Sequence, residues 1–388
     1  MTRVLLAFDK FKDALTAQQA GEVVAAVLRE AHPDWELDLA PLADGGEGFA
    51  GILTEAAGGR IVPCEVSGPR GGRVAAGFGL VSVAAIPAKA RAQLGLQQES
   101  RLGAQIAVIE MAAASGLALL AAEQRDPWQT TSLGTGELMR AAADSGAVAI
   151  LLGVGGSATN DLGLGALAAL GLAFADDAGR PVHPPVPAEW PRIVRVSGPL
   201  AAGLPPVYIA CDVTNPLLGP RGATAVYGPQ KGLRAADQTR LENESARLAD
   251  LLGQHCGRAP ALRDVPGAGA AGGIAFGLMA TTDAKLLPGF DLVSAWLDLE
   301  TRLAAADIVI TGEGRFDASS LDGKGPGAIA ANALALGKTV HIFAGQVTAP
   351  PRPGLALHAI TPAGIPLAEA LRETRANLAA AARRVLAG

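Results

Sequence analysis

The chain opens on an unbroken apolar run, Val4 to Phe8, closed by Asp9. A run this short with no polar alternation predicts a strand covered on both faces by helices. Thr16 and Gln19 then stand at capping-box spacing, and Ala20, Val23, Val24, Val27 and Leu28 recur every three or four residues. That pattern predicts an amphipathic helix, ended by His32-Pro33. Glu36 to Ala40 predicts a second strand, and the loop PLADGGEG (41–48) leads into a second helix closed by Gly58-Gly59. The order is β-α-β-α.

Later apolar runs repeat the theme at Val148 to Leu152, Val207 to Cys211, Ile308 to Ile310 and Val340 to Phe343, each with Gly or Asp close behind. Open α/β sheets bind ligands outside the carboxyl ends of their strands, so these junctions matter, although Gly and Asp are also ordinary turn formers. Pro-rich segments at 181–191, 198–206 and 349–353 read as loops. From Pro366 to Leu386 the pattern predicts one long helix, with Leu367, Leu371, Leu378 and Val385 on one side and arginines on the other.

Composition sharpens this picture. At 388 residues the chain predicts two domains, and 49% hydrophobic against 18% charged residues supplies ample core. Aromatics are only 4%, while 49 glycines and 26 prolines imply small aliphatic cores and many tight turns. The net charge is −5, with no Lys/Arg run dense enough to follow a row of phosphates, which argues against nucleic acid as a partner. Three cysteines without a C-x-x-C pair suggest neither a disulfide framework nor zinc, and fit a reducing cytoplasm. The first apolar run is too brief for a signal-peptide core, and the longest, Ile106 to Ala122, is interrupted by Glu110 and falls short of the ~20 residues of a span. No membrane partner is expected.

The chemistry is concentrated in glycine-rich loops. GVGGSATND (153–161) lies between an apolar run and the helix-like LGLGALAAL. The small side chains of Gly155, Gly156, Ser157 and Ala158 leave backbone N–H groups open to an anion, and the following helix would add its positive end. Spacing alone leaves a phosphate loop and a plain tight turn equally open. Gly153, Gly155 and Ala158 also satisfy a dinucleotide fingerprint, with Asp176 and Asp177 near the acidic position, so a dehydrogenase acting on a small hydroxy acid is a rival. A Walker A loop and a G-x-S-x-G elbow are both missing, and the five histidines lack ligand spacing.

Carboxylates recur in comparable loops: Asp44 and Glu47 in ADGGEG, Asp212 in CDVTNP, Glu313 and Asp317 in GEGRFD. Lys12, Lys231 and Lys324 stand in others. Phosphoryl transfer needs carboxylates to hold Mg²⁺ and to take a hydroxyl proton, and lysines to neutralise the moving charge.

Taken in order, AFDKFKDALTAQQA (7–20), PLADGGEG (41–48), GVGGSATNDLGLG (153–165), ACDVTNPLLGPRGA (210–223), YGPQKG (227–232), GAGAAGG (267–273) and GEGRFDASSLDGKGP (312–326) resemble the glycerate kinase family over nearly the whole chain. Two departures stand out. Lys10, Asp13 and Ala14 replace smaller or hydroxylated residues of a DSFKGSL-like block, and Ser319-Ser320 stand where the family pattern has Gln-Thr.

The resemblance implies transfer of the γ-phosphate of Mg-ATP to D-glycerate, giving 2-phosphoglycerate, with 3-phosphoglycerate as the alternative product. It implies a Rossmann-like three-layer domain from both chain ends (1–65 and 286–388), with a second α/β domain (66–285) inserted in it and the active site in the cleft between them. Gly155, Gly156, Ser157 and Asn160 are then expected to cradle nucleotide phosphates, and Asp212 and Glu313 to hold Mg²⁺. Lys231 and Lys324 would neutralise charge, Asp44 or Asp317 would take the hydroxyl proton, and Lys12, Gly45, Gly46 and Glu47 would bind the substrate. Monomer and homodimer are equally compatible with the pattern.

Overall fold

The computed structural model describes residues 1–96, 103–321 and 325–387. In chain order the strands are β1 (Arg3–Phe8), β2 (Glu36–Leu39), β3 (Arg60–Ser67), β4 (Arg73–Ser82), β5 (Gln105–Glu110), β6 (Ile150–Gly153) and β7 (Ala173–Ala175). They continue as β8 (Arg195–Ser197), β9 (Val207–Ala210), β10 (Lys285–Leu287), β11 (Ile308–Phe316), β12 (Thr339–Val347) and β13 (Leu355–Ala359). Packing divides the chain into two compact units, one of Met1–Asp44 with Val293–Gly388, the other Gly45–Leu292.

The unit built from both chain ends holds a wholly parallel sheet in the order β13-β12-β11-β1-β2. The apolar run 4–8 is β1, an interior strand between β11 and β2. Val4, Leu6 and Phe8 face a core shared with the helices Ala17–Ala31 and Thr374–Leu386. Leu5 and Ala7, on the other face, are equally buried, and the helix Gly325–Ala335 packs against β1, β11 and β12. Both faces are therefore covered, which is why the strands carry no alternation. The helix Ala17–Ala31 starts on the predicted capping box: Gln19 N donates to Thr16 Oγ1 at 3.1 Å and Thr16 N to Gln19 Oε1 at 3.1 Å.

The C-terminal prediction needs correction. The stretch 367–386 is two helices, Leu367–Arg372 and Thr374–Leu386, parted at Glu373. Leu378 is buried in the core, whereas Leu367 is 73% exposed. With a break between them, the leucines no longer share one stripe, so the heptad-like spacing misleads.

The middle unit holds a sheet in the order β10-β9-β6-β5-β4-β3, parallel from β10 to β5 and antiparallel from β5 to β3, with a separate β7-β8 pair. Its core runs from Val66 to Ala280 and is mostly Leu, Ile, Val and Ala, as the scarcity of aromatics requires. Each unit is thus α/β and parallel-rich, with loops at the carboxyl ends of its central strands. No helix among the described residues is long and apolar enough to cross a membrane.

Candidate active site

In the unit formed by the chain ends, β1 ends beside the middle of β11, with Phe8 paired to Gly312 and Asp9 N donating to Gly312 O at 2.9 Å. That register brings Asp9 and Glu313 together. Burial pushes the Asp9 carboxyl up to about 6, and Asp44 adds repulsion, against the pull of Lys10. Lys10 Nζ lies 3.9 Å from Asp9 and 4.0 Å from Asp44. Burial likewise pushes Glu313 up to about 7, helped by the negative charge of Asp9, Asp317 and Asp44, although a hydrogen bond from Ser320 opposes it. Glu313 Oε1 is buried with no hydrogen-bond partner. Three further carboxylates act on this orphaned oxygen, a repulsion that a cation would relieve, although among the described residues no three His, Cys, Asp or Glu side chains converge as a ready ligand set.

Asp317 differs from its neighbours. Its Oδ1 accepts from Ser319 N at 2.9 Å and Ser319 Oγ at 2.6 Å, and its Oδ2 lies 3.3 Å from Arg315 Nε. These bonds hold its carboxyl below the usual range. The hydroxyl of Ser320, retained where the family pattern has Thr, accepts from Asp317 N at 3.2 Å and bonds Glu313. Lys12 is exposed on the turn after β1. Lys324 lies outside the described residues.

In the middle unit, two glycine loops stack over the ends of β6 and β9. A methyl group on Gly45 would lie 2.7 Å from Ala210 O, one on Gly153 would lie 2.6 Å from Gly45 O, and one on Gly155 would lie 2.6 Å from Gly46 Cα. All three distances are closer than a Cβ tolerates, so only glycine fits. Gly155 N donates to Gly45 O at 2.9 Å, and a Cβ on Gly156 would sit 3.6 Å from Glu47 Oε1. The expected substrate residues Gly45, Gly46 and Glu47 and the expected nucleotide residues Gly155 and Gly156 therefore meet at one surface.

Below that surface the loop becomes a buried polar network. Lys231, only 2% exposed, donates through Nζ to Ser157 Oγ at 2.9 Å and to Thr159 O at 2.6 Å. Burial drags its ammonium down to about 7, while Asp161 pulls it back up. Asn160 Nδ2 donates to Thr224 Oγ1 at 3.3 Å, leaving Asn160 Oδ1 and Thr159 Oγ1 buried and unpartnered. The sequence offered no sign of this depth, because a lysine in a polar loop ordinarily points to water.

One expectation for this loop is not met. The helix after it, Leu164–Ala169, does not turn open N–H groups toward an anion. Asp161 accepts from Gly163 N at 3.1 Å and Gly165 N at 3.3 Å, and Ser132 Oγ accepts from Ala166 N at 2.9 Å. The chain's own carboxylate fills the place a phosphate would take.

Asp212, expected as a metal ligand, accepts from Phe290 N at 2.9 Å at the start of the helix Gly289–Trp296, as a cap does. It belongs to the middle unit, Glu313 to the other. Asp9 and Lys10 were given no site role from the sequence; the signal available was that Asp9 closes an interior parallel strand, the position where α/β sheets bind ligands.

The geometry can be set beside known proteins. The model of the glycerate kinase family matches residues 4–388. The chain belongs to the glycerate kinase family. It is 38% identical to a glycerate kinase of Bacillus subtilis, covering 99% of this chain and 97% of that relative, and 37% identical to a glycerate 2-kinase of Escherichia coli, covering 89% and 86%. A crystal structure named for glycerate kinase 2 of Salmonella typhimurium LT2 superposes with a TM-score of 0.75 at 38% identity, over 99% of this chain and 97% of that one. Membership of this family removes the dehydrogenase reading of Gly153, Gly155 and Ala158.

Proposed function

We propose that the protein transfers the γ-phosphate of ATP to D-glycerate, releasing ADP and 2-phosphoglycerate. The observation that carries the reading is the mutual repulsion of Asp9 after β1, Glu313 in the second half of β11 and Asp44 in the loop after β2, in a chain of the glycerate kinase family. The 2-position follows the name of the Escherichia coli relative.

The buried, unpartnered Glu313 Oε1 and its crowd of like charges fit a magnesium site. Asp9 and Glu313 would hold the ion, leaving Asp212 to its helix cap. When bound, Mg²⁺ supplies neutralisation of the triphosphate oxygens. Asp44 accepts the proton of the attacking hydroxyl, since Asp317 is engaged by Ser319 and Arg315. The glycerate oxygen attacks the γ-phosphorus as the bond to ADP breaks. Gly45 and Gly46 receive the glycerate carboxylate, Lys12 adds positive charge for the substrate, Glu47 borders the nucleotide loop, and Gly155 and Gly156 meet the phosphates. Ser157, Asn160 and Lys231 shape that loop from beneath, and Lys324 adds positive charge.

The test is an ADP assay with D-glycerate and Mg-ATP, with the product isomer read by NMR. ADP no higher than in the absence of glycerate overturns the proposal; 3-phosphoglycerate overturns only the regiochemistry. Asp44→Asn is expected to lower kcat while leaving ATP affinity near wild type.

A further inference from the structure

Away from these residues, the middle unit carries a recess of roughly 480 Å³, lined by Arg70, Gln129, His183, Arg192, Val182 and Val186 among others. The volume is that of a small-molecule site, and the lining sets charged and polar side chains beside valines and prolines. Three chain segments build it, and backbone bonds fix them to one another. Thr131 N donates to Pro69 O at 2.9 Å, Ala188 N donates to Trp128 O at 2.9 Å, and Arg70 Nη1 donates to Gln124 O at 3.0 Å. The walls are formed before any ligand arrives.

Arg70 supplies positive charge to the lining that no carboxylate of the recess offsets. Glu189, its one carboxylate, is already paired with Arg192, which also lies 3.7 Å from Asp176. Arg70 keeps guanidinium donors beyond the one it gives to Gln124, and among the described residues the His183 ring and the Gln129 amide have no hydrogen-bond partner. In a chain of net charge −5, such a lining favours a short-chain organic anion.

The lining segment around Gln129 and Thr131 is wired to the glycine loop. Thr130 Oγ1 donates to Ala158 O at 3.2 Å, and Ser132 donates through both N and Oγ to Asp161 Oδ2 at 2.7 Å. Segment 129–132 thus has one side on the recess and the other on residues 158–161.

We propose that this recess is a regulatory site for a short-chain organic anion bearing a phosphate or carboxylate group, whose seating is transmitted through Thr130 and Ser132 to the 158–161 loop. The binding site stands independently of the kinase reading; only the kinetic effect rests on it. The experiment follows the His183 ring resonances of the full-length protein by NMR, assigned with His183→Gln. Inorganic phosphate, phosphoenolpyruvate and citrate are titrated separately, with the nucleotide loop saturated by a non-hydrolysable ATP analogue.

A saturable His183 shift is expected with at least one organic anion, weakened about tenfold by Arg70→Gln, the loss of one charge-assisted contact. Phosphoenolpyruvate and citrate together tell phosphate recognition from carboxylate recognition, and a response to inorganic phosphate alone overturns the organic-anion claim. Binding should also shift the Ala158 amide and change KM for ATP. Thr130→Val should abolish both effects while leaving the His183 titration intact, and Thr130→Ser should restore them. No His183 shift with any probe, or full affinity in Arg70→Gln, overturns the site. An Ala158 shift that persists in Thr130→Val overturns the coupling. The His183 and Ala158 readouts hold even if no kinase activity is found.

Discussion

The Lys231 ammonium is seated against the Ser157 hydroxyl at 2.9 Å, inside the protein, at the root of the loop that is proposed to meet ATP. A buried cation there acts through the loop and not by reaching a phosphate itself. Its folded-state pKa, dragged down to about 7, lies below the ordinary lysine value of 10.5. The unfolded chain therefore binds more protons than the folded one between those limits, and this group makes stability rise as pH climbs from about 7 toward 10.5. Lys231→Met should flatten that rise by on the order of 2 kcal/mol, read as urea unfolding at pH 7 and pH 9. An unchanged slope would show that the ammonium is solvated.

Asp161 should be the most stability-critical carboxylate in the chain. It accepts from Ser132 N, Ser132 Oγ, Gly163 N and Gly165 N while fully buried. Asp161→Ala orphans all four donors and removes the charge beside Lys231. A loss of about 3–5 kcal/mol is expected from denaturant unfolding, and a cost under about 1 kcal/mol would mean that water replaces the carboxylate.

Glu313→Gln should pull stability and ion binding in opposite directions. The native carboxyl titrates near 7 against 4.5 unfolded, so the folded state holds the extra proton between those values and stability falls as pH rises through that window. At pH 8 the magnesium-free Gln variant should be more stable than wild type by roughly 1–2 kcal/mol, after allowing for partial solvent access. It should bind Mn²⁺, followed by EPR, more weakly. Equal Mn²⁺ affinity in the two proteins would remove Glu313 from the proposed ion site.

A separate acid weakness lies between β12 and β13. His341 Nδ1 and His358 Nε2 share one hydrogen bond at 3.1 Å, and burial, with His341 and Arg384 nearby, pushes His358 down to about 4. Because the unfolded imidazole titrates near 6.5, stability should be lost as pH falls from 6.5 toward 4. His358→Gln should shrink the drop in Tm between pH 7 and pH 4.5. A drop as large as that of wild type would place the acid sensitivity elsewhere.

Much of this was legible in the chain. Val4 to Phe8 lacks alternation because both faces of β1 are covered, and Thr16 and Gln19 mark a helix start through bonds between neighbours in sequence. Short-range physics of this kind survives in a linear pattern. What did not survive depends on long-range registration. Asp9 looks like a turn former until Phe8 is paired with Gly312, more than 300 residues away, and Glu313 is set beside it. Lys231 looks solvated until the glycine loop is folded over it. The helix after that loop looked open to anions because Asp161, a polar loop residue in the sequence, turns back to cap it.

The stacked glycines 45, 153 and 155 have a consequence for inheritance. A carbon added at 153 or 155 would run into the backbone of Gly45 or Gly46, and one added at 45 into Ala210 O of β9, so none of the three can grow unless backbone more than fifty positions away retreats. The two loops must therefore drift as a single part. Laboratory evolution of substrate preference should find its tolerated changes at flanking side chains such as Glu47 and Lys12, and libraries that randomise the three glycines should return almost nothing but glycine.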